Sequence, residues 1–180
     1  MIYIIILLFI LIIFYSFSSK VSPIPYFPTN KADLDKIVKA FNMKNDGVVL
    51  DLGAGNGTVI FAAAKKAYEK RINTQFYAID INIFLILYMW VRRLFHPNKS
   101  NIKLVYGDIF KVNYKNILKK YSHVVFYIYI SPWFTAVTHQ IIKEQKIKAQ
   151  IVSYFYPIEN AKEDQKIKGV HNIYIYKAVS

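Results

Sequence analysis

No cysteine occurs anywhere in the 180 residues, so disulfides and thiolate metal sites are excluded. Histidine is also sparse. His96, His123, His139 and His171 are scattered and form no pair at metal-ligand spacing. Acidic residues are few, with 11 Asp and Glu against 24 Lys and Arg and a formal charge of +13. Such a field favours anionic partners. The richness in Ile, Lys, Asn and Tyr is also what an AT-biased coding sequence produces, so charge alone does not argue for nucleic acid. There are only six glycines, and their placement is informative.

Three of the six fall within five residues, in Val48-Val49-Leu50-Asp51-Leu52-Gly53-Ala54-Gly55-Asn56-Gly57-Thr58. An apolar run ends at an acid, a glycine-rich turn follows, and a helical pattern begins at Thr58. This is the strand–loop–helix opening of a nucleotide-binding α/β unit. Glycines allow a tight turn and a close approach of ligand to backbone. A dinucleotide fingerprint would carry its third glycine at position 58, where Thr58 stands. The pattern is instead Asp-x-Gly-x-Gly-x-Gly.

Strands and helices alternate through the rest of the chain. Strands are expected at Val48–Leu52, Thr74–Ile79, Ile102–Tyr106, His123–Ile130, Ala149–Tyr156 and Asn172–Ala178. Helices are expected at Ala32–Met43, Thr58–Tyr68, Ile81–Phe95, Tyr114–Lys120 and Thr135–Glu144. That order predicts an α/β, Rossmann-like, mostly parallel sheet of about six strands with right-handed crossovers, occupying residues 31–180 as one domain. In such sheets ligands bind at the carboxyl ends of the strands. The second strand ends at Asp80, twenty-nine residues after Asp51, and the third is followed by Asp108. A carboxylate at Asp80 can accept from both hydroxyls of a ribose.

Residues 1–17 read MIYIIILLFILIIFYSF, without charge, glycine or proline. As a helix this stretch would reach about 25 Å against a hydrocarbon core of ~30 Å. No basic n-region or small-x-small cleavage site marks a signal peptide. The expectation is an N-terminal transmembrane anchor, with the basic body on the cytoplasmic side. Residues 18–30, with Pro23, Pro25 and Pro28, read as a stiff linker.

Asp-x-Gly-x-Gly-x-Gly with the acid at the strand end resembles motif I of class I S-adenosylmethionine (SAM) methyltransferases. The resemblance implies SAM as cofactor, contacted by Asp51, Gly53, Ala54, Gly55, Asn56 and Gly57, by Asp80 with Ile81, and by Asp108 with Ile109. It places the methionine part of SAM on the glycine loop and the adenine amino group at Asp108. Further resemblance is to membrane-anchored relatives of the ATP synthase c-subunit lysine N-methyltransferase and to archaeal protein-lysine methyltransferases. It rests on Pro25-Tyr26-Phe27-Pro28-Thr29, on Tyr129-Ile130-Ser131-Pro132, and on Phe155-Tyr156-Pro157. Asn56 departs from the pattern, since relatives often carry an acid there; Asp80 replaces a common glutamate.

The implied reaction is methyl transfer to a lysine of a membrane-associated protein. It needs no metal, and Tyr129, Pro132 and Trp133 are the expected catalytic residues. Tyr26, Tyr129 and Trp133 are the expected substrate lining, because aromatic rings desolvate an amine and hold a methylated cation. The expected partners are a membrane-proximal protein and lipid rather than nucleic acid, and the expected state is a monomer. Two alternatives stay open. Ser131-Pro132-Trp133-Phe134 also resembles the (Asp/Asn)-Pro-Pro-(Tyr/Phe) loop of nucleic-acid amino methyltransferases. A SAM-binding membrane protein without catalysis is the other.

Overall fold

A computed structural model describes residues 2–16 and 27–179. The strands are β1 (Gly47–Leu52), β2 (Thr74–Asp80), β3 (Ile102–Tyr106), β4 (His123–Ile128), β5 (Ala149–Tyr154), β6 (Gln165–Ile167) and β7 (Ile173–Val179). They form one sheet in the order β3-β2-β1-β4-β5-β7-β6. The first five run parallel, and β7 pairs antiparallel with both β5 and β6. The helices are α1 (Ile2–Ser16), α2 (Leu34–Ala40), α3 (Thr58–Glu69), α4 (Ile83–Leu94), α5 (Tyr114–Leu118) and α6 (Pro132–Glu144).

The central strands are near-continuous apolar runs because both faces of the sheet are covered. One core layer packs α2 and α3 on the sheet through Ile37, Phe41, Ile60, Ala63, Ala64 and Ala67. Alanines on α3 let that helix lie close to the strands. The opposite layer gathers Leu50, Phe126, Tyr114 and Ile142. The strand order reverses between β1, which continues to β2, and β4. The cleft at the carboxyl ends of these strands is the position this topology provides for a ligand.

Two expectations are corrected. The sheet has seven strands, not six: β6 lies within the charged stretch 159–169 and pairs with β7 to complete the C-terminal hairpin. It is three residues long and mostly exposed, so it carries no hydrophobic alternation to read. The transmembrane helix expected at residues 1–17 is overturned as well. The helix there, α1, has 15 residues and reaches about 22 Å at ~1.5 Å per residue. Among the described residues no helix is long and apolar enough to cross a membrane. The single-pass anchored localisation falls with it, and the inferred orientation of the catalytic domain loses its basis. Most of the linker, including Tyr26, lies outside the described residues.

Candidate active site

The glycine loop is built by backbone geometry that only glycine adopts freely. Gly53, Gly55 and Gly57 have φ of 79°, 59° and 76°. The amides of Gly53 and Ala54 donate to the carbonyl of Ile79 at 2.9 and 3.0 Å, tying the loop to the end of β2. Gly57 has a second constraint: a Cβ there would lie 2.7 Å from the Phe61 ring and 2.8 Å from Met89 Sδ. Gly57 is therefore where α3 and α4 close under the loop, and it does not line the cleft. Asn56 folds back, its side-chain oxygen accepting from the amide and hydroxyl of Thr58 at 3.1 and 2.7 Å. Its carbonyl accepts from Arg92 Nη1 at 2.6 Å.

The cleft above this loop is lined by Asp51, Gly53, Ala54, Gly55, Asn56, Asp80, Ile81, Asp108, Ile109 and Tyr129. Of the expected cofactor contacts, Gly57 alone stands off the wall. Thr29, Asn82, Leu85, Phe110 and Tyr127 also line it and were not anticipated. Of these, Tyr127 was the most legible. It shares a strand face with Tyr129 at period two and sits opposite Asp51 in the β1–β4 register. Its hydroxyl lies 3.3 Å from Thr29 Oγ1.

The three carboxylates differ in their surroundings. Asp51 is 3% exposed and no hydrogen bond reaches its carboxylate from the described residues. Burial, with the Asp80 charge nearby, pushes it up to about 8. Asp80 accepts from the amide of Gly55 at 2.8 Å through Oδ2 and from that of Asn82 at 2.8 Å through Oδ1. Burial still raises its pKa, against the opposing amides of Asn82, Gly55 and Ile81. A carboxylate offers about four acceptor positions, so ribose hydroxyls can be accepted beside these amides. Asp108 is more open. It accepts from the Phe110 amide at 2.9 Å and faces Lys111 Nζ at 3.6 Å. The Tyr114 hydroxyl pins the adjoining turn by donating to the Ile109 carbonyl.

Tyr127 is buried, and loss of water followed by the Asp51 charge keeps its phenol protonated well above the usual range. Tyr129 is half-buried and packs edge-on to Tyr154 at 4.9 Å. Burial and then Tyr156 raise its pKa. Pro132 and Trp133 are placed differently from expectation. Pro132 opens α6 at its first turn, a position that suits its missing N–H. Trp133 is 67% exposed and leans edge-on to Phe134 at 6.4 Å, away from the cleft lining. No cluster of three or more His, Asp or Glu able to hold a metal occurs among the described residues.

No family model matches the chain. Among curated proteins it is similar to the human ATP synthase c-subunit lysine N-methyltransferase, with 21% identity over 156 residues and 86% of this chain. The chain spans 62% of that relative's length. Among solved structures, an RNA methyltransferase from Salinibacter ruber in complex with S-adenosyl-L-homocysteine superposes with a TM-score of 0.70 at 18% identity, covering 84% of this chain and 94% of that one. A SAM-dependent methyltransferase from Geobacter sulfurreducens, also with S-adenosyl-L-homocysteine, gives 0.55 at 16% identity over 78% and 53%. The chain thus has the fold of the class I SAM-dependent methyltransferases, with its own glycine loop and strand-end carboxylates in that fold's ligand cleft.

Proposed function

We propose that the protein transfers a methyl group from SAM to the side-chain amine of a lysine in another protein. One observation carries the cofactor part: three carboxylates, Asp51, Asp80 and Asp108, meet a positive-φ glycine loop in one cleft of a chain whose net charge is +13. A cleft that concentrates acid in a basic protein suits a cationic cofactor. SAM is such a molecule, with an ammonium and a sulfonium. Asp51 lies where it can take the ammonium, and Asp80 can accept ribose hydroxyls.

The acceptor part is supported by the lysine N-methyltransferase similarity across 86% of the chain and by the aromatic side of the cleft, Phe27, Phe110, Tyr127 and Tyr129. A lysine of ordinary pKa ~10.4 must lose its proton before its nitrogen attacks the methyl carbon. Aromatic surroundings lower that pKa by excluding water. The carbon–sulfur bond breaks as the carbon–nitrogen bond forms, and the thioether leaves neutral.

Methylation of an RNA base amine is the second reading, favoured by the charge of +13 and by the Salinibacter fold neighbour. At the end of β4 the residue in the amine-accepting position is Ser131, which is buried, its carbonyl accepting from the Phe134 amide at 2.9 Å. The test is radiolabelled SAM with the full chain and a cell extract, split into protein and RNA fractions, with the ATP synthase c-subunit as the first purified acceptor. Label on lysine, with mass gained in steps of one methyl, supports the proposal; label confined to RNA replaces it with the second reading.

A further inference from the structure

Tyr129, on the cleft wall, is the first of a run of aromatic rings that lies beside the cleft lining. Tyr129 packs on Tyr154 at 4.9 Å, Tyr154 on His171 at 5.6 Å, and Phe155 on His171 at 4.1 Å and on Tyr156 at 4.4 Å. These residues come from the carboxyl ends of β4 and β5 and the approach to β7, the end of the sheet that carries the cleft. Tyr154 is buried, but Phe155 is 37% exposed, and Tyr129, Tyr156 and His171 are half-buried. The cluster is therefore partly open to solvent.

Two further observations converge here. Phe155 has φ of 73°, a conformation in which a bulky side chain is an outlier. The other non-glycine residues with positive φ among those described are Asn42, Asp46, Arg71, Lys146 and Asn160, none of them aromatic. The strained turn is pinned by the Phe155 amide donating to the Asn172 carbonyl at 2.8 Å and by Ser153 Oγ donating to the Tyr156 carbonyl at 2.6 Å. Strain of this kind collects where a side chain is aimed for use.

Next to Tyr154 and His171 lies a buried carboxylate. Asp33 accepts from Tyr154 Oη at 2.9 Å, His171 N at 2.8 Å and Val170 N at 2.7 Å. Burial opposes its charge, but these donors together with the Lys36 charge hold its pKa below the usual value. Its direct partners are neutral, for Lys36 Nζ donates to the Lys168 carbonyl instead. Ring faces with an anion beside them attract a cation.

We propose that Tyr129, Phe155, Tyr156 and His171, with Asp33 next to His171, form an alkylammonium subsite that receives the acceptor side chain and its methylated product beside the cofactor cleft. This rests on the methyltransferase reading. The test uses the full chain saturated with S-adenosylhomocysteine and two probes: N-acetyl-trimethyllysine amide and its uncharged isostere, in which carbon replaces the ammonium nitrogen. Ring-proton shifts in NMR report binding, and calorimetry reports S-adenosylhomocysteine affinity separately.

The charged probe should shift the Phe155, Tyr156 and His171 rings saturably and bind about tenfold tighter than the isostere. Phe155→Leu, which keeps apolar bulk but has no ring face, should abolish that preference with S-adenosylhomocysteine affinity unchanged. Phe155→Gly, which takes the positive φ without strain, should do the same in a chain at no risk from the backbone. Equal binding of the two probes, or an unchanged preference in both variants, overturns the subsite and leaves the cofactor reading standing. Failure to bind S-adenosylhomocysteine overturns both.

Discussion

At Asp51 the carboxyl group has lost its water and found no hydrogen bond in the described chain, and its pKa rises to about 8 from an ordinary 3.8. The folded chain therefore holds a proton that the unfolded chain has released. Between pH 3.8 and about 8 the unfolded state binds fewer protons, so stability falls as pH rises through that window and flattens above it. Asp51→Asn removes this cost and should stabilise the protein near pH 7, seen as a higher denaturation midpoint. The same substitution should weaken SAM binding by about 1.5–3 kcal/mol, the worth of a charge-assisted hydrogen bond. In the unaltered protein SAM should drive the proton off, so calorimetry near pH 7 in buffers of different ionisation enthalpy should detect proton release. A destabilised Asp51→Asn protein with full SAM affinity would show that this carboxylate faces away from the cofactor.

Single residues were legible where a backbone rule marked them and illegible where only packing did. Asp51, Gly53 and Gly55 stand out because a strand end, an acid and a positive-φ turn coincide. Trp133 is expected at the site as an aromatic ring able to desolvate an amine and hold a methylated cation, yet α6 starts at Pro132 and the indole is 67% exposed, edge-on to Phe134. Helix start and side-chain direction together decide where such a ring points; the sequence pattern puts the start at Thr135, three residues late, and says nothing of the direction.

At the scale of elements, the junction of loop, α3 and α4 depends on Gly57. Both its φ of 76° and the 2.7 Å approach of a Cβ to the Phe61 ring forbid a side chain. Phe61 is also held by Arg92, whose guanidinium lies 4.5 Å over the ring while donating to the Asn56 carbonyl. Gly57→Ala should cost about 2–4 kcal/mol through overpacking and backbone strain. It should also lower SAM affinity by moving the loop, although position 57 does not touch the cleft. Urea denaturation and calorimetry on the same protein check both halves; unchanged stability would mean that α4 yields at Met89. The core strands and α3 were readable as apolar runs and helical spacing. The edge strand β6 was not, because an exposed three-residue strand leaves no pattern. The apolar N-terminal run showed its composition in sequence, but length decides whether such a helix spans a bilayer, and no helix among the described residues is long and apolar enough to do so.

Across the whole molecule, charge is divided by location. The chain carries 24 basic against 11 acidic side chains, and three of those eleven acids, Asp51, Asp80 and Asp108, line the cleft. The cleft's acidity serves a cation at short range, where burial limits screening. The net charge acts at longer range and is screened beyond about 8 Å at physiological salt. The two readings of the acceptor therefore predict different salt responses. An RNA acceptor held by six to ten phosphate contacts would lose about 10³–10⁵ in affinity between ~50 and ~200 mM salt. A lysine entering an aromatic subsite gains most of its binding from desolvated contact and should lose less than about tenfold. Transfer rates at low acceptor concentration across that range, with S-adenosylhomocysteine affinity as an internal control, separate the two. A steep fall in kcat/KM with constant cofactor affinity would move the acceptor from protein to nucleic acid. A shallow one would leave the basic surface without a part in catalysis.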